Sequence, residues 1–343
     1  MPLLSQRVDA PETPHTPQHP EVTWRPATAD DIDRIHALFL AAGAVDHPWW
    51  VMPREDVAAD FEVSYIDPTR DTMIAVAPSG EVVAVGTATL GPGADTRLQA
   101  YVFGAVHPGW RGRGLGRQLA AWQHDRALQH LARADVDLPG WIVTYAEDHQ
   151  DDVVALFARF GLAPARYFTE MDWRPESAPP LPEIALPDGL RIEPFTAELS
   201  EATRLARNDS FRDHWGSQPT VPEKWAKFVG SGTFRGDLSR VVVEDTDDGP
   251  RVAAFALTTV DEGTFAAKGF THGYVALVGV VREHRGRRLA PAVLTAQLRA
   301  ITAAGLEGGV LDVDSESPTG ALGLYERLGY TATHRSVALV REV

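Results

Sequence analysis

Apolar and polar residues follow two rhythms along this chain, and the rhythms recur in the same order twice. Val22–Thr28 has strand character, and Ala29–Ala42 carries Ile32, Ile35, Leu38 and Phe39 at helical spacing. Pro53–Val63 reads as a second helix. Thr72–Val76 and Val82–Leu90 read as strands separated by the Ser79-Gly80 turn. Leu98–Val106 is an apolar strand. Beyond it Leu115, Leu119 and Trp122 fall at i, i+4 and i+7, one apolar helix face. Trp141–Tyr145, Val153–Phe160 and Arg166–Trp173 add strand, helix and strand. The second half repeats the pattern, with Leu294, Leu298 and Ile301 on the matching helix. Pro291 falls in that helix's first turn, where a missing N–H costs nothing. Each half is therefore predicted to be mixed α/β in the order β-α-α-β-β-β-α-β-α-β.

Residue landmarks make the repetition specific. Arg25-Pro26 answers to Arg191-Ile192-Glu193-Pro194, and Asp46-His47-Pro48-Trp49 to Asp213-His214-Trp215. Arg111 answers to Arg285, and Leu156–Gly161 to Leu324–Gly329. A period of roughly 170 residues is too long for a solenoid and marks duplication of a whole domain. Residues 1–21, with five prolines among polar residues, predict a disordered leader. Residues 175–188 predict an extended proline-rich linker, which leaves domains at 22–174 and 189–343.

The chemistry concentrates in a basic, glycine-rich turn present in both halves. The first copy contains Arg111, Gly112, Arg113, Gly114, Leu115 and Gly116; the second contains Arg285, Gly286, Arg287, Arg288, Leu289 and Ala290. Each follows an apolar strand and opens a helix. The first N–H groups of a helix lack internal partners and sit at the positive end of its dipole, so the arrangement makes an anion cradle. The dinucleotide and P-loop patterns do not fit: Arg117 stands where a third glycine belongs, and no Gly-Lys-Ser/Thr occurs. An ordinary surface turn at a helix start is the plain alternative.

Arg111, Gly114 and Gly116 after a strand resemble the pyrophosphate loop of the GNAT acyltransferases; Arg285 and Ala290 fit less closely, with Arg288 at the middle glycine. The element order resembles that family too, over 22–174 and 189–343. The resemblance implies two tandem GNAT domains in a pseudo-dimer, an arrangement similar to the tandem group that includes mycothiol synthase. Trp215-Gly216 departs from that group's substrate-side loop, so the likeness extends to architecture and not to the acceptor. The resemblance implies acetyl-CoA as cofactor. Its pantetheine arm would bond the backbone of Gly104, Ala105 and Val106 in one copy and Val278, Gly279 and Val280 in the other. Those residues are also plain strand core.

In this family the leaving-group acid is often a tyrosine in a segment like Leu324-Tyr325-Glu326-Arg327-Leu328-Gly329-Tyr330. Tyr325 matches it, and a phenol is suited to protonating a thiolate. The first copy has Phe157 there, and Ala100 where the family often puts a basic glutamate; the second copy has Tyr274 at that place. This points to a catalytic C-terminal half. Tyr274, Asp213, His214 and, through water, Glu244 stand as candidate bases. Asp213 is a candidate partner for an acceptor ammonium, with Trp215 stacking on it.

Composition narrows the setting. The chain has 343 residues, 44% hydrophobic, no cysteine and a formal charge of −15. That charge disfavours nucleic acid and membrane surfaces and suits a small amine acceptor. No set of His, Asp and Glu has metal-ligand spacing. No signal peptide or membrane span is visible, so a cytoplasmic, monomeric enzyme is expected. An N-acyltransferase acting on a small-molecule amine is the primary expectation. A non-catalytic acyl-CoA sensor and a protein N-acetyltransferase are the alternatives.

Overall fold

The computed structural model describes residues 2–247, 249–316 and 320–343. It divides into two compact units. Unit 1 comprises 1–166 with 336–343, and unit 2 comprises 167–335.

In unit 1, β1 (Thr23–Arg25), β2 (Thr72–Val76), β3 (Val82–Leu90), β4 (Leu98–Val106) and β5 (Gly140–Glu147) lie side by side in that order. The far end of β12 (Thr331–Glu342) closes the sheet, pairing Ser336–Glu342 antiparallel with β5. Only β4 and β5 run parallel. Helix α2 (Ile32–Asp46) covers one face, setting Ile35 and Leu38 against Ile74, Val82 and Val85. Helix α5 (Leu115–Leu131) covers the other with Leu119 and Trp122 buried. Short helices α1 (Leu4–Arg7), α3 (Arg54–Ala59), α4 (Pro68–Asp71) and α6 (Asp151–Ala158) complete the unit.

Unit 2 repeats the plan. Its sheet runs β6 (Ala163–Trp173, from residue 167), β11 (Gly308–Asp314), β10 (His272–Val280), β9 (Gly249–Thr259), β8 (Arg240–Thr246) and β7 (Leu190–Pro194). Helix α10 (Leu289–Ala303) buries Val293, Leu294, Leu298 and Ile301 against Ala254, Ala256, Val275 and Leu311. Each such side chain contributes about 1.5–3 kcal/mol. Helices α7 (Ser200–Ser210) and α8 (Pro222–Val229) cover the opposite face, where Ala206 and Trp225 meet Val241, Val243 and Phe255. Helices α9 (Phe265–Lys268) and α11 (Ala321–Leu328) lie beyond.

The division between units falls elsewhere than at the expected linker. Residues 168–173 pair with β11 inside unit 2, and 336–342 pair with β5 inside unit 1, so the last strand of each copy is exchanged. Composition carries no sign of this, because pairing partners are set by register across the sheet and not by local pattern. The 175–188 segment belongs to unit 2, packing Ala178, Leu181 and Leu186 onto its core.

Residues 2–21 depart from the disordered leader the composition suggested. Leu4 is fully buried, and its N–H donates to the Val136 carbonyl at 2.8 Å. The chain then follows α5 back toward its N-terminus. Gln129 donates to the Pro11 carbonyl at 2.9 Å, the His15 N–H donates to Asp125 at 2.9 Å, and the Gln18 N–H donates to Gln118 at 3.2 Å. Proline disfavours helix and presets an extended backbone. Here that extended backbone bonds polar side chains along one helix.

One buried charge cluster holds α4 to α5. The Asp71 carboxylate accepts from Arg126 at 2.9 and 2.8 Å and lies 2.9 Å from His130 Nε2. Asp71 and Arg126 are almost wholly buried.

Candidate active site

The two glycine-rich turns have the same backbone. Gly112 and Gly286 have φ of 75° and 77°, and Gly114 and Arg288 have φ of 91° and 60°. Arg288 is the only non-glycine residue with positive φ among the described residues. A side chain in the left-handed region costs about 1–2 kcal/mol. Arg288→Gly is therefore expected to stabilise unit 2 by up to about 1 kcal/mol, read as a raised melting temperature. An unchanged or lowered melting temperature would mean that the arginine repays its own strain.

Both turns are braced in the same way. Arg111 donates two bonds to Asp46, at 2.8 and 2.7 Å, and one to the Val106 carbonyl at 3.1 Å. Arg285 donates to Asp213 at 3.0 Å and to the Ser210 carbonyl at 3.0 Å, and Arg282 also donates to Asp213. Asp46 ends the first long helix of its copy, and Asp213 lies just beyond the first long helix of the other. Arg111 and Arg285 thus spend their charge on shaping the turn. Arg285, then Arg282, holds the Asp213 carboxyl below the usual carboxylate range. Asp213, expected to meet an acceptor ammonium, meets two guanidiniums instead. His214 packs its ring 5.3 Å from Phe211, and Trp215 lies 6.2 Å from Phe168. Glu244 lies 3.4 Å from the buried His284, itself bonded to Arg287 at 2.8 Å, so it supports the second turn.

The strand leading into each turn peels away from its parallel neighbour. β4 pairs with β5 only over Leu98–Tyr101, and β10 with β11 only over His272–Tyr274. Beyond those points Gly104, Ala105 and Val106, and likewise Val278, Gly279 and Val280, keep their antiparallel partner on one edge. The other edge is open to an extended, amide-bearing ligand.

Here the copies diverge. β4 pairs with β3 in unbroken register from Ala100 to Val106. In β10 the register against β9 slips between Val275 and Leu277, a bulge at Ala276. A bulge takes one residue out of the ladder and bends the strand, so its backbone groups become available.

Tyr325 sits on α11, almost buried, with its ring 5.7 Å from that of Tyr330. Burial pushes its hydroxyl up to about 12, so it stays protonated at neutral pH. Tyr274 donates to Asp312 at 2.8 Å. Burial, then the Asp312 charge, raises the Tyr274 hydroxyl well above its ordinary value. Glu170 and Asp172 of β6 flank this pair and are clamped by Lys268, at 2.5 and 2.7 Å. The N-terminal copy has Ala100 and Phe157 at the two matching positions, without a titratable group.

Sequence reasoning passed over Asp312, Glu170 and Lys268. The alternation Leu311-Asp312-Val313-Asp314 was the available signal: two acids two residues apart on a strand lie on one face.

Comparison with known proteins adds to this geometry. Residues 200–330 match the model of the acetyltransferase (GNAT) family. Mycothiol acetyltransferase of Thermobispora bispora is 34% identical over 236 residues, covering 66% of this chain and 70% of the relative. Mycothiol acetyltransferase of Frankia alni is 28% identical over 329 residues, covering 92% and 93%. Some curated relatives are matched over only 65% of their length. The crystal structure of a GCN5-related N-acetyltransferase from Sphaerobacter thermophilus superimposes with a TM-score of 0.69 at 26% identity, covering 94% of this chain and 96% of that one.

Proposed function

The chain belongs to the GNAT family of acetyltransferases, and we propose that its C-terminal unit moves an acetyl group from acetyl-CoA to a small-molecule amine by direct attack on the thioester. The observation that carries the assignment to this unit is the β10 bulge. It lies on the one strand that combines an open edge, a glycine-rich turn downstream and a tyrosine, Tyr325, on the helix after the next strand.

In this reading the open backbone of Val278–Val280 bonds the pantetheine arm. The amides of Arg285–Ala290, at the N-terminus of α10, hold the pyrophosphate, helped by the helix dipole. The amine forms its N–C bond at the thioester carbonyl and gives up a proton to a base of the site, the C–S bond breaks, and Tyr325 gives its proton to the sulfur. Preformed turns favour this chemistry because the anion meets donors already oriented. The relatives named mycothiol acetyltransferase favour a small-molecule acceptor over a protein one. The N-terminal unit, with its unbroken β4 and Phe157, fits a supporting role. Its turn, Arg111–Gly116, is shaped to hold a second pyrophosphate.

The test is thiol release from acetyl-CoA across a panel of amines, with calorimetry of acetyl-CoA binding alongside. Turnover on at least one amine is expected. Tight binding without turnover on any amine would make the chain an acyl-CoA sensor instead.

A further inference from the structure

Resting on the proposed amine acetylation, we propose that Asp312 is the general base that takes the proton from the acceptor nitrogen, and that the Tyr274 hydroxyl positions it. The strand register brings the two together. Tyr274 stands opposite Val310 across the parallel β10–β11 pair, so Asp312, two residues further along β11, shares its face. Across the antiparallel β11–β6 pair, Asp312 stands opposite Glu170. The open stretch of β10 begins at the residue after Tyr274, so this face lies beside the edge assigned to the thioester arm.

Four carboxylates share the face, Glu170, Asp172, Asp312 and Asp314, and they are not equivalent; Asp314 is buried and accepts from the Glu316 N–H at 2.9 Å. Lys268 shares its single charge between Glu170 and Asp172, and Thr333 also donates to Glu170 at 3.1 Å. Asp312 accepts only from the neutral Tyr274, at 2.8 Å, among the described residues, and it keeps a solvent-exposed edge. Protein crowds Asp312 while part of its side chain stays exposed, so an acceptor can reach it. The competing candidates are otherwise engaged. Asp213 is bound by two arginines, His214 lies with Nδ1 3.2 Å from the Trp215 carbonyl and its ring against Phe211, Glu244 pairs with His284, and the raised Tyr274 hydroxyl holds its proton. At the β10 position where the resemblance expects a glutamate the chain has Tyr274, and the carboxylate stands one strand over.

Burial pushes the Asp312 carboxyl up to about 6. The bond from Tyr274 and the charge of Lys268 oppose that shift, while Glu170 and Asp172 add to it. Above pH 6 the group is therefore ionised and yet a stronger base than an ordinary aspartate, as a general base near neutrality requires. In the step, the nitrogen lone pair attacks the thioester carbon. Asp312 accepts the N–H proton as the N–C bond forms. The C–S bond breaks, and Tyr325 protonates the leaving sulfur. The enzyme has gained one proton at Asp312 and lost one at Tyr325; Asp312 returns its proton to water through its exposed edge, and Tyr325 regains one from solvent.

The experiment measures kcat, KM and their pH profiles for thiol release with glucosamine, spermidine and a lysine peptide as probe amines. Asp312→Asn is expected to lower kcat by roughly 10²-fold or more with acetyl-CoA affinity kept, and to abolish the acid limb near pH 6. Tyr274→Phe is expected to lower kcat by less than Asp312→Asn does and to move that limb to higher pH, because the bond that places and favours the ionised carboxylate is gone. Asp312→Asn with kcat within about threefold of the parent, or a limb indifferent to Tyr274→Phe, would overturn the assignment. No turnover by the parent enzyme on any probe would overturn the acetylation reading first, and this one with it.

Discussion

Replacing Tyr325 by Phe is expected to cut turnover by roughly 10²-fold or more while leaving acetyl-CoA affinity unchanged. The substitution removes one oxygen. The ring keeps its place on α11 against Tyr330, so the core it helps fill persists. On the mechanism proposed above, what disappears is a proton donor at the departing sulfur, where charge develops only as the C–S bond breaks. A loss confined to the transition state lowers kcat and not binding, and a hundredfold loss corresponds to about 2.7 kcal/mol. Steady-state thiol release together with calorimetry separates the two quantities. Phe157→Tyr in the N-terminal copy is the matching control and should leave the rate where it was. A Tyr325→Phe enzyme at full speed would remove this residue from the mechanism.

Asp71→Ala should destabilise unit 1 by about 3–5 kcal/mol, the cost of leaving a buried charge without its partner. Arg126 and His130 both face that carboxylate, and Arg126 is too enclosed for water to take Asp71's place. For a unit of this size such a loss lowers the melting temperature by roughly 6–20 °C. Acid gives the same answer by another route. Burial pushes the Asp71 carboxyl upward, but the bonds from His130, the Asp67 amide and Arg126 outweigh it and hold the group below its ordinary value. A carboxyl depressed in the folded state contributes stability that is complete above its unfolded value near 3.9 and is lost as pH falls through its folded value. The parent protein should therefore lose stability below about pH 4, and the alanine variant should lose less there. A variant that melts within about 2 °C of the parent would show that the cluster is no more than neutral.

Local pattern carried much of this fold. β2, β3 and β4 run over Thr72–Val76, Val82–Leu90 and Leu98–Val106, the spans their alternation and turn residues predict, because both signals are local. The repeat was legible as well, since landmarks such as Arg111 and Arg285 keep their order. What landmarks cannot convey is partnership. Asp46 and Asp213 stood out as matching positions, yet their bonds to Arg111 and Arg285 span 65 and 72 residues and follow from helix ends meeting turns. The Tyr274–Asp312 contact depends on the register of a parallel pair, which alternation alone leaves open. The bulge at Ala276 was equally hidden. Val275–Val280 reads as an unbroken apolar run, and the slip becomes evident only against β9. The proline count of residues 1–21 was read as disorder, although Leu4 and the helix side chains along α5 offered a surface for it.

The exchange of final strands sets the order in which the molecule can be finished. Unit 1 receives 336–343 only after every residue of unit 2 has been synthesised, whereas the stretch 167–335 is continuous. On the ribosome unit 1 must therefore wait with an uncovered β5 edge, a template for unwanted pairing, until residues 336–342 arrive. A stop at residue 335 would injure the half of the protein that was translated first and leave intact the half just completed.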